Sequence, residues 1–236
     1  MTIAKAMHNI EKNLRLVQQN IEQTAVSYQR DPTRITLLAV SKTKPISDIQ
    51  AAYQCGQRDF GESYLQEAEK KIAALIDTHI IWHYIGPIQS NKTRKISELF
   101  DWVHSVDRLK IAQRLNDNHP QNKQPLNILL QVNIDEEPSK SGINLNQVSS
   151  LADKIKSLPN IKLRGLMAIP AMHKDPEKQR LPFAKMQQAL TELQQTYPDC
   201  DTLSMGMSGD MQAAIAEGST LVRIGTAIFG NRVSKT

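Results

Sequence analysis

The chain has 236 residues, 40% hydrophobic and 22% charged, a globular composition with enough apolar material for a sizeable core. Its 29 basic against 24 acidic side chains leave a net charge of +5, which favours anionic small ligands without demanding nucleic acid. Two cysteines, Cys55 and Cys200, exclude a disulfide framework and lack metal-ligand spacing, and no run of 18 apolar residues spans a membrane. The opening MTIAKAMHNIEKNLRLVQQN lacks the long apolar core of a signal peptide, so a cytoplasmic location is expected.

Ile3, Met7, Ile10, Leu14, Val17, Ile21 and Val26 recur at spacings of three, four or five, which predicts an amphipathic helix over residues 3–28. ITLLAVS then reads as a strand buried on both faces, and DIQAAYQCG as a helix with Ser47 as N-cap and Gly56 as terminator. Seven further short apolar segments follow: RDFGE, IIWHYIG, DWVHSV, LNILLQVNI, KLRGLMAI, TLSMG and STLVRIG. Helical patterns fall between most of them, in SYLQEAEKKIAALI, DRLKIAQRLNDN, LNQVSSLADKIKSL and FAKMQQALTELQQTY. Eight strands alternating with helices imply a parallel sheet covered on both faces. In a chain of this length the expectation is an α/β fold with one TIM (β/α)8 barrel over residues 1–236, preceded by an extra helix; a doubly wound open sheet is the alternative. No linker, low-complexity segment or room for a second domain is visible.

Functional groups of a barrel cluster where strands end. Those positions here are Lys42, Glu62, Ser63, His83, Gly86, His104, Asn133, Met167, Ser208 and the segment from Arg223 to Thr226. LSMGMSGDM places Gly206, Ser208 and Gly209 after the seventh strand, and LVRIGTAIFG places Gly225 and Thr226 after the eighth. Small residues at these two loops let backbone N–H groups approach a phosphate, although glycines also serve any tight turn. An amine at Lys42, across the mouth from such a cradle, suits a Schiff base with pyridoxal phosphate. Lys44 competes for the role; strand alternation puts both lysines on one side, and Lys44, before Pro45, is expected to be the solvated one. Arg223 is placed to reach the cofactor ring, where a permanent cation disfavours protonation of the pyridine nitrogen, or else to pair with an acid at the rim. His79 and His83 have i,i+4 spacing but no third ligand, so no metal is expected. SNKTRK at 90–95 and RLKIAQR at 108–114 read as solvated basic helix faces.

The blocks LLAVSKTKP, FGESYLQE, WHYIGPIQSNK, HSVDRL, QVNIDEEPSKSGI, RGLMAIP and LSMGMSGDMQAAIAEGSTLVRIGTAIFGNR, in this order from about Ile35 to Arg232, closely resemble the pyridoxal phosphate homeostasis protein family. The resemblance implies a single barrel similar to the barrel domain of alanine racemase. It implies that Lys42 holds pyridoxal 5'-phosphate as a Schiff base, that Ser208, Gly225 and Thr226 cradle the phosphate, and that Arg223 lies near the pyridine nitrogen. His83, Asn133, Met167 and Met207 match positions lining the mouth. Two departures stand out: Ser63, where the family usually has Asn, and Gln212, where it often has Glu.

The expected function is intracellular buffering and delivery of this vitamin B6 cofactor without catalytic turnover, with apo PLP-dependent enzymes as recipients. The alternative is a PLP enzyme of the amino-acid racemase type. That chemistry needs a second acid/base, which alanine racemase supplies from an additional β domain; the chain ends at Thr236, directly after the eighth unit, so that domain is expected to be missing and the protein to be a monomer. Tyr64 and Tyr84 are the nearest substitutes. A scaffold that has lost the cofactor is disfavoured by Lys42 and the two phosphate loops.

Overall fold

The computed structural model describes residues 3–173 and 175–231. Eight parallel strands close into a barrel in chain order: β1 Thr36–Val40, β2 Asp59–Glu62, β3 Ile81–Tyr84, β4 Trp102–Val106, β5 Leu126–Val132, β6 Ile161–Ala168, β7 Thr202–Ser204 and β8 Leu221–Ile224. Among the described residues the helices are α1 Ile3–Ser27, α2 Ile46–Gln54, α3 Leu65–Ala74, α4 Thr93–Leu99, α5 Leu109–Asn118, α6 Val148–Ile155, α7 Pro176–Thr196, α8 Met211–Ala216 and α9 Thr226–Phe229. No described helix is long and apolar enough to cross a membrane.

The fully apolar reading of β1 follows from two covered faces. Leu37 and Ala39 belong to the large cluster between sheet and helices, whereas Leu38 is fully buried outside that cluster, on the inner side. The barrel closes where β1 pairs with β8, with Thr36 opposite Leu221, Leu38 opposite Arg223 and Ala39 opposite Ile224.

Helix α1 lies over that seam, packed on α2, α8 and α9. Its buried stripe is Ile10, Leu14, Val17, Ile21 and Ala25; Val26, expected in the stripe, is 63% exposed, because a step of five from Ile21 leaves the face that steps of three and four keep aligned. The side chains of Ile3 and Met7 fall outside the described residues. Asn13 Nδ2 donates to the Ile228 carbonyl at 3.0 Å, and Arg30 Nη1 donates to the Ile215 and Ser219 carbonyls at 2.8 and 2.6 Å.

Three boundaries differ from the sequence reading. Pro45, not Ser47, occupies the N-cap of α2: its φ of −69° presets the turn into the helix, and Ser47 is an exposed first-turn residue. Helix α7 starts at Pro176 rather than Phe183, because the Asp175 side chain accepts from the Glu177 N–H at 3.0 Å and Pro176 suits the first helical position. The run SNKTRK is not only a solvated face; its second half opens α4, which buries Thr93, Ile96 and Ser97.

Since Leu14 is 1% exposed at the centre of the α1 stripe, Leu14→Ala should lower unfolding stability by about 3 kcal/mol while leaving far-UV circular dichroism unchanged, as measured by urea denaturation.

Candidate functional site

At the end of β1 the chain leaves the extended conformation. Ser41 is buried, Lys42 is half-buried, and Thr43 adopts φ +65°, a left-handed conformation that a β-branched residue resists. This turn cancels strand alternation, so Lys42 and Lys44 need not share a side. Lys44, expected to be solvated, instead directs Nζ to the carbonyls of Phe229, Gly230 and Asn231, each at 2.9 Å. It satisfies carbonyls at the C-terminal end of α9 and so ties the β1–α2 turn to the last helix.

A buried charge network holds the same turn from the other side. Lys71 on α3 is 3% exposed, and its Nζ donates to the Ser41 carbonyl at 2.8 Å, Glu62 Oε1 at 2.7 Å and Glu67 Oε1 at 2.5 Å. Glu62 Oε1 also accepts from Ser41 Oγ at 2.7 Å, and Glu67 Oε1 from the Thr43 N–H at 2.6 Å. Those two carboxylates, bridged by one ammonium, fix the backbone on both sides of Lys42. Glu62 is fully buried and its Oε2 has no hydrogen-bond partner among the described residues. Burial pushes its carboxyl up from the ordinary range, against the pull of the Lys71 charge.

The small-residue loop after β8 lies beside the end of β1, and the loop after β7 is one strand further round the mouth. After β7, Gly206 takes φ +96°, and a Cβ there would lie 2.6 Å from the Ala214 Cβ, so only glycine lets the loop pass α8. Asp210, 6% exposed, accepts the Met207 N–H on Oδ1 at 2.5 Å and shapes the loop that leaves Ser208 and Gly209 exposed. Burial raises the Asp210 carboxyl, opposed by the Met207 N–H and the Arg223 charge. After β8, a Cβ on Gly225 would stand 3.1 Å from the Val40 carbonyl oxygen, and the exposed Thr226 opens α9. The end of β1 and the start of α9 are therefore neighbours.

Arg223 lies beneath this rim, 5% exposed. Its Nη1 donates to the Ser204 carbonyl and Oγ, both at 2.7 Å, and its Nη2 to the Ala168 carbonyl at 2.9 Å. Rim acids do not pair with it directly; the partners are the last residues of β6 and β7. Burial pulls the guanidinium down to about 10, partly offset by Asp210, which leaves it protonated at neutral pH. Met167 is buried near the end of β6. Asn133, just past β5, donates Nδ2 to the Glu137 and Lys140 carbonyls at 2.8 and 3.3 Å and accepts the Glu137 N–H at 3.2 Å. Its amide thus holds the loop that follows β5.

His83 is a correction. Instead of lining the mouth, it is 1% exposed, with Nε2 3.0 Å from Asp59 Oδ1 and its ring stacked on Trp102 at 5.5 Å. Asp59 and Trp102 begin β2 and β4, so the ring points to the opposite end of the barrel, where it borders a cleft of about 340 Å³. Among the described residues no group of three His, Cys, Asp or Glu side chains is placed to hold a metal. Of the two departures from the family pattern, Gln212 is exposed on α8, whereas Ser63 presses its carbonyl against Gly86, where a Cβ would lie 2.2 Å away.

Lys71 was missed by reading strand ends alone. Its signal was present: Leu65, Ala68, Lys71, Ile72 and Leu75 share one helical face, and a lysine on an apolar stripe calls for a buried acid. Asp210 and Ser204 carried no such signal.

Replacing Lys71 with Met should cost about 3–5 kcal/mol in chemical denaturation, since it strands the Glu62 charge. The double variant Lys71→Met/Glu62→Gln should recover most of that loss; no recovery would show that the ion pair does not organise the turn.

A family profile described as "Alanine racemase, N-terminal domain" matches residues 7–233. The pyridoxal phosphate homeostasis protein of Pseudomonas aeruginosa is 53% identical over 226 residues, covering 96% of this chain and 97% of its own length. The crystal structure of PipY from Synechococcus elongatus with PLP bound superposes with a TM-score of 0.78 at 38% identity, covering 89% of this chain and 99% of PipY. Alanine racemase from Corynebacterium glutamicum, at 16% identity and a TM-score of 0.69, covers 98% of this chain and 62% of the racemase, and shares the fold. With its closed parallel barrel and a relative identical at more than half of the aligned positions, the chain belongs to the pyridoxal phosphate homeostasis protein family.

Proposed function

We propose that this protein binds pyridoxal 5'-phosphate on Lys42 and serves its homeostasis by buffering and delivery rather than by catalytic turnover. The observation that carries the proposal is the fastening of the Lys42 turn to the small-residue loop after β8: Lys44 bonds the α9 carbonyls, and Gly225 lies against the Val40 carbonyl. The residues fit the cofactor. Gly206 and Gly225 let the two loops pack closely on α8 and on the end of β1, Thr226 presents the first turn of α9, and Lys42 sits half-buried at the strand end. When bound, the cofactor supplies an aldehyde that condenses with an amine and releases water.

In this reading Lys42 is the covalent anchor, and Ser208, Gly225 and Thr226 offer hydroxyl and backbone N–H donors to the phosphate. Arg223 faces the ring nitrogen as a fixed cation, which suppresses protonation there and weakens the ring as an electron sink. Met207 and Asn133 border the mouth, whereas His83 has no contact role. A weakened sink suits a carrier better than an enzyme. Tyr84, one of two candidate second bases, commits its hydroxyl to the Pro87 carbonyl at 3.1 Å and packs between sheet and helices. The name of the curated relative and the PLP in PipY support the same reading. Residues 1–236 would act as one cytoplasmic, monomeric PLP-binding unit that passes the cofactor to apo enzymes.

Borohydride reduction of PLP-loaded protein followed by peptide mapping should mark Lys42, and a label on Lys44 alone would sink the assignment. Thr226→Ala combined with Ser208→Ala should weaken PLP retention by about 10–100-fold, read by equilibrium dialysis, without lowering the unfolding midpoint. Mixing the loaded protein with an apo PLP enzyme should restore that enzyme's activity. Lys42-dependent racemisation of any L-amino acid would overturn the carrier reading.

A further inference from the structure

We infer that Ser204, His104, His83 and Asp59 are positioning residues for Arg223: they form a one-way hydrogen-bond chain across the barrel interior that fixes the plane of its guanidinium. The chain crosses five strands. Arg223 Nη1 on β8 reaches Ser204 Oγ on β7 at 2.7 Å, and Ser204 Oγ lies 3.0 Å from His104 Nδ1 on β4. His104 Nε2 lies 2.9 Å from His83 Nδ1 on β3, and His83 Nε2 lies 3.0 Å from Asp59 Oδ1 on β2. Ser204, His104 and His83 are each no more than 1% exposed, so water does not supply alternative partners.

The polarity is set from both ends. A guanidinium only donates, so Ser204 Oγ accepts from Arg223 and turns its own hydrogen to His104 Nδ1. His104 then carries its proton on Nε2 and donates to His83 Nδ1. At the far end a carboxylate only accepts, so His83 must carry its proton on Nε2. The two ends arrive at the same layout, with both imidazoles neutral and both protonated on Nε2. The opposite layout, with Nδ1–H on His104, would require a second buried cation on His83 beside Arg223. Burial, together with the positive charge of Arg223, already holds the His104 imidazole well below its ordinary range.

No proton moves along this chain. Its consequence is orientation: Nη1 is fixed by Ser204 and Nη2 by the Ala168 carbonyl, so two of the three guanidinium nitrogens are anchored inside the barrel. The floor end is covered by Trp102, stacked on His83, and by Arg164, whose guanidinium lies 4.8 Å over the Trp102 ring. Four residues outside the mouth would therefore set how the Arg223 cation meets the ring nitrogen, a role that rests on the proposed function of Arg223.

The test uses the full chain, first without cofactor. Long-range proton–nitrogen spectra of histidine-labelled protein should show His83 and His104 neutral with Nε2–H, and the Arg223 Nη groups should give separate signals because rotation is blocked. Asp59→Ala, at the partly exposed floor end, should scramble the histidine tautomers and merge the Arg223 signals; Asp59→Asn, whose amide oxygen still accepts, should preserve both. In PLP-loaded protein, Asp59→Ala and Ser204→Ala should shift the long-wavelength absorption band and weaken retention about tenfold, with Asp59→Asn unchanged. Nδ1–H on His104, averaged Arg223 signals in the parent, or no effect of Asp59→Ala and Ser204→Ala on either signature would overturn the inference. A parent that keeps the Arg223 and histidine signatures yet takes up no PLP would sink the proposed function and leave the chain supported.

Discussion

The pairing of β1 with β8 is the constraint on which the rest of this molecule depends. A barrel exists only if its first and last strands meet in register, and a slip of one residue would turn Leu38 and Arg223 from the interior toward the helices. The fold braces that seam at three heights. Arg30 bonds carbonyls that precede β8, α1 covers the outside with its apolar stripe, and Lys44 bonds the helix that follows β8. Each brace comes from a different part of the chain, so closure and the geometry of the mouth are secured together.

Two polar networks occupy opposite sides of the sheet. Glu62 and Lys71 lie in the layer between sheet and helices, while Arg223, Ser204 and the histidine pair lie inside the barrel. Neither is a reservoir of stability: buried ion pairs and polar chains return little net free energy over an apolar core, and losing one member is costly. What they contribute is definition. The first network fixes the backbone around Lys42, and the second fixes the side chain of Arg223. The proposed site for one flat ligand needs both, since backbone placement without a fixed cation would leave the far end of that ligand undetermined.

Strand number, order and the mouth were legible because they rest on local pattern. Alternating apolar segments and helical stripes set the barrel, and small residues after the last two strands marked the loops. What stayed hidden depends on partners distant in sequence. Lys44 lost its expected exposure to carbonyls on α9, which no spacing near residue 44 announces. His83 was assigned to the mouth because it sits near a strand end, but a four-residue strand is too short for that rule to distinguish top from bottom. Its direction is decided by Asp59 on the neighbouring strand and by the Trp102 ring. Lys71 was readable in principle, as a charge on an apolar helical face, yet only the fold identifies Glu62 as its partner.

The placement of Lys44, two positions beyond Lys42, also makes the mouth depend on the end of the chain's last helix. Lys44 directs its ammonium at three carbonyl oxygens, and that charge fastens the β1–α2 turn to the last helix. A truncation from α9 onward would remove all three acceptors at once and release the turn that carries Lys42.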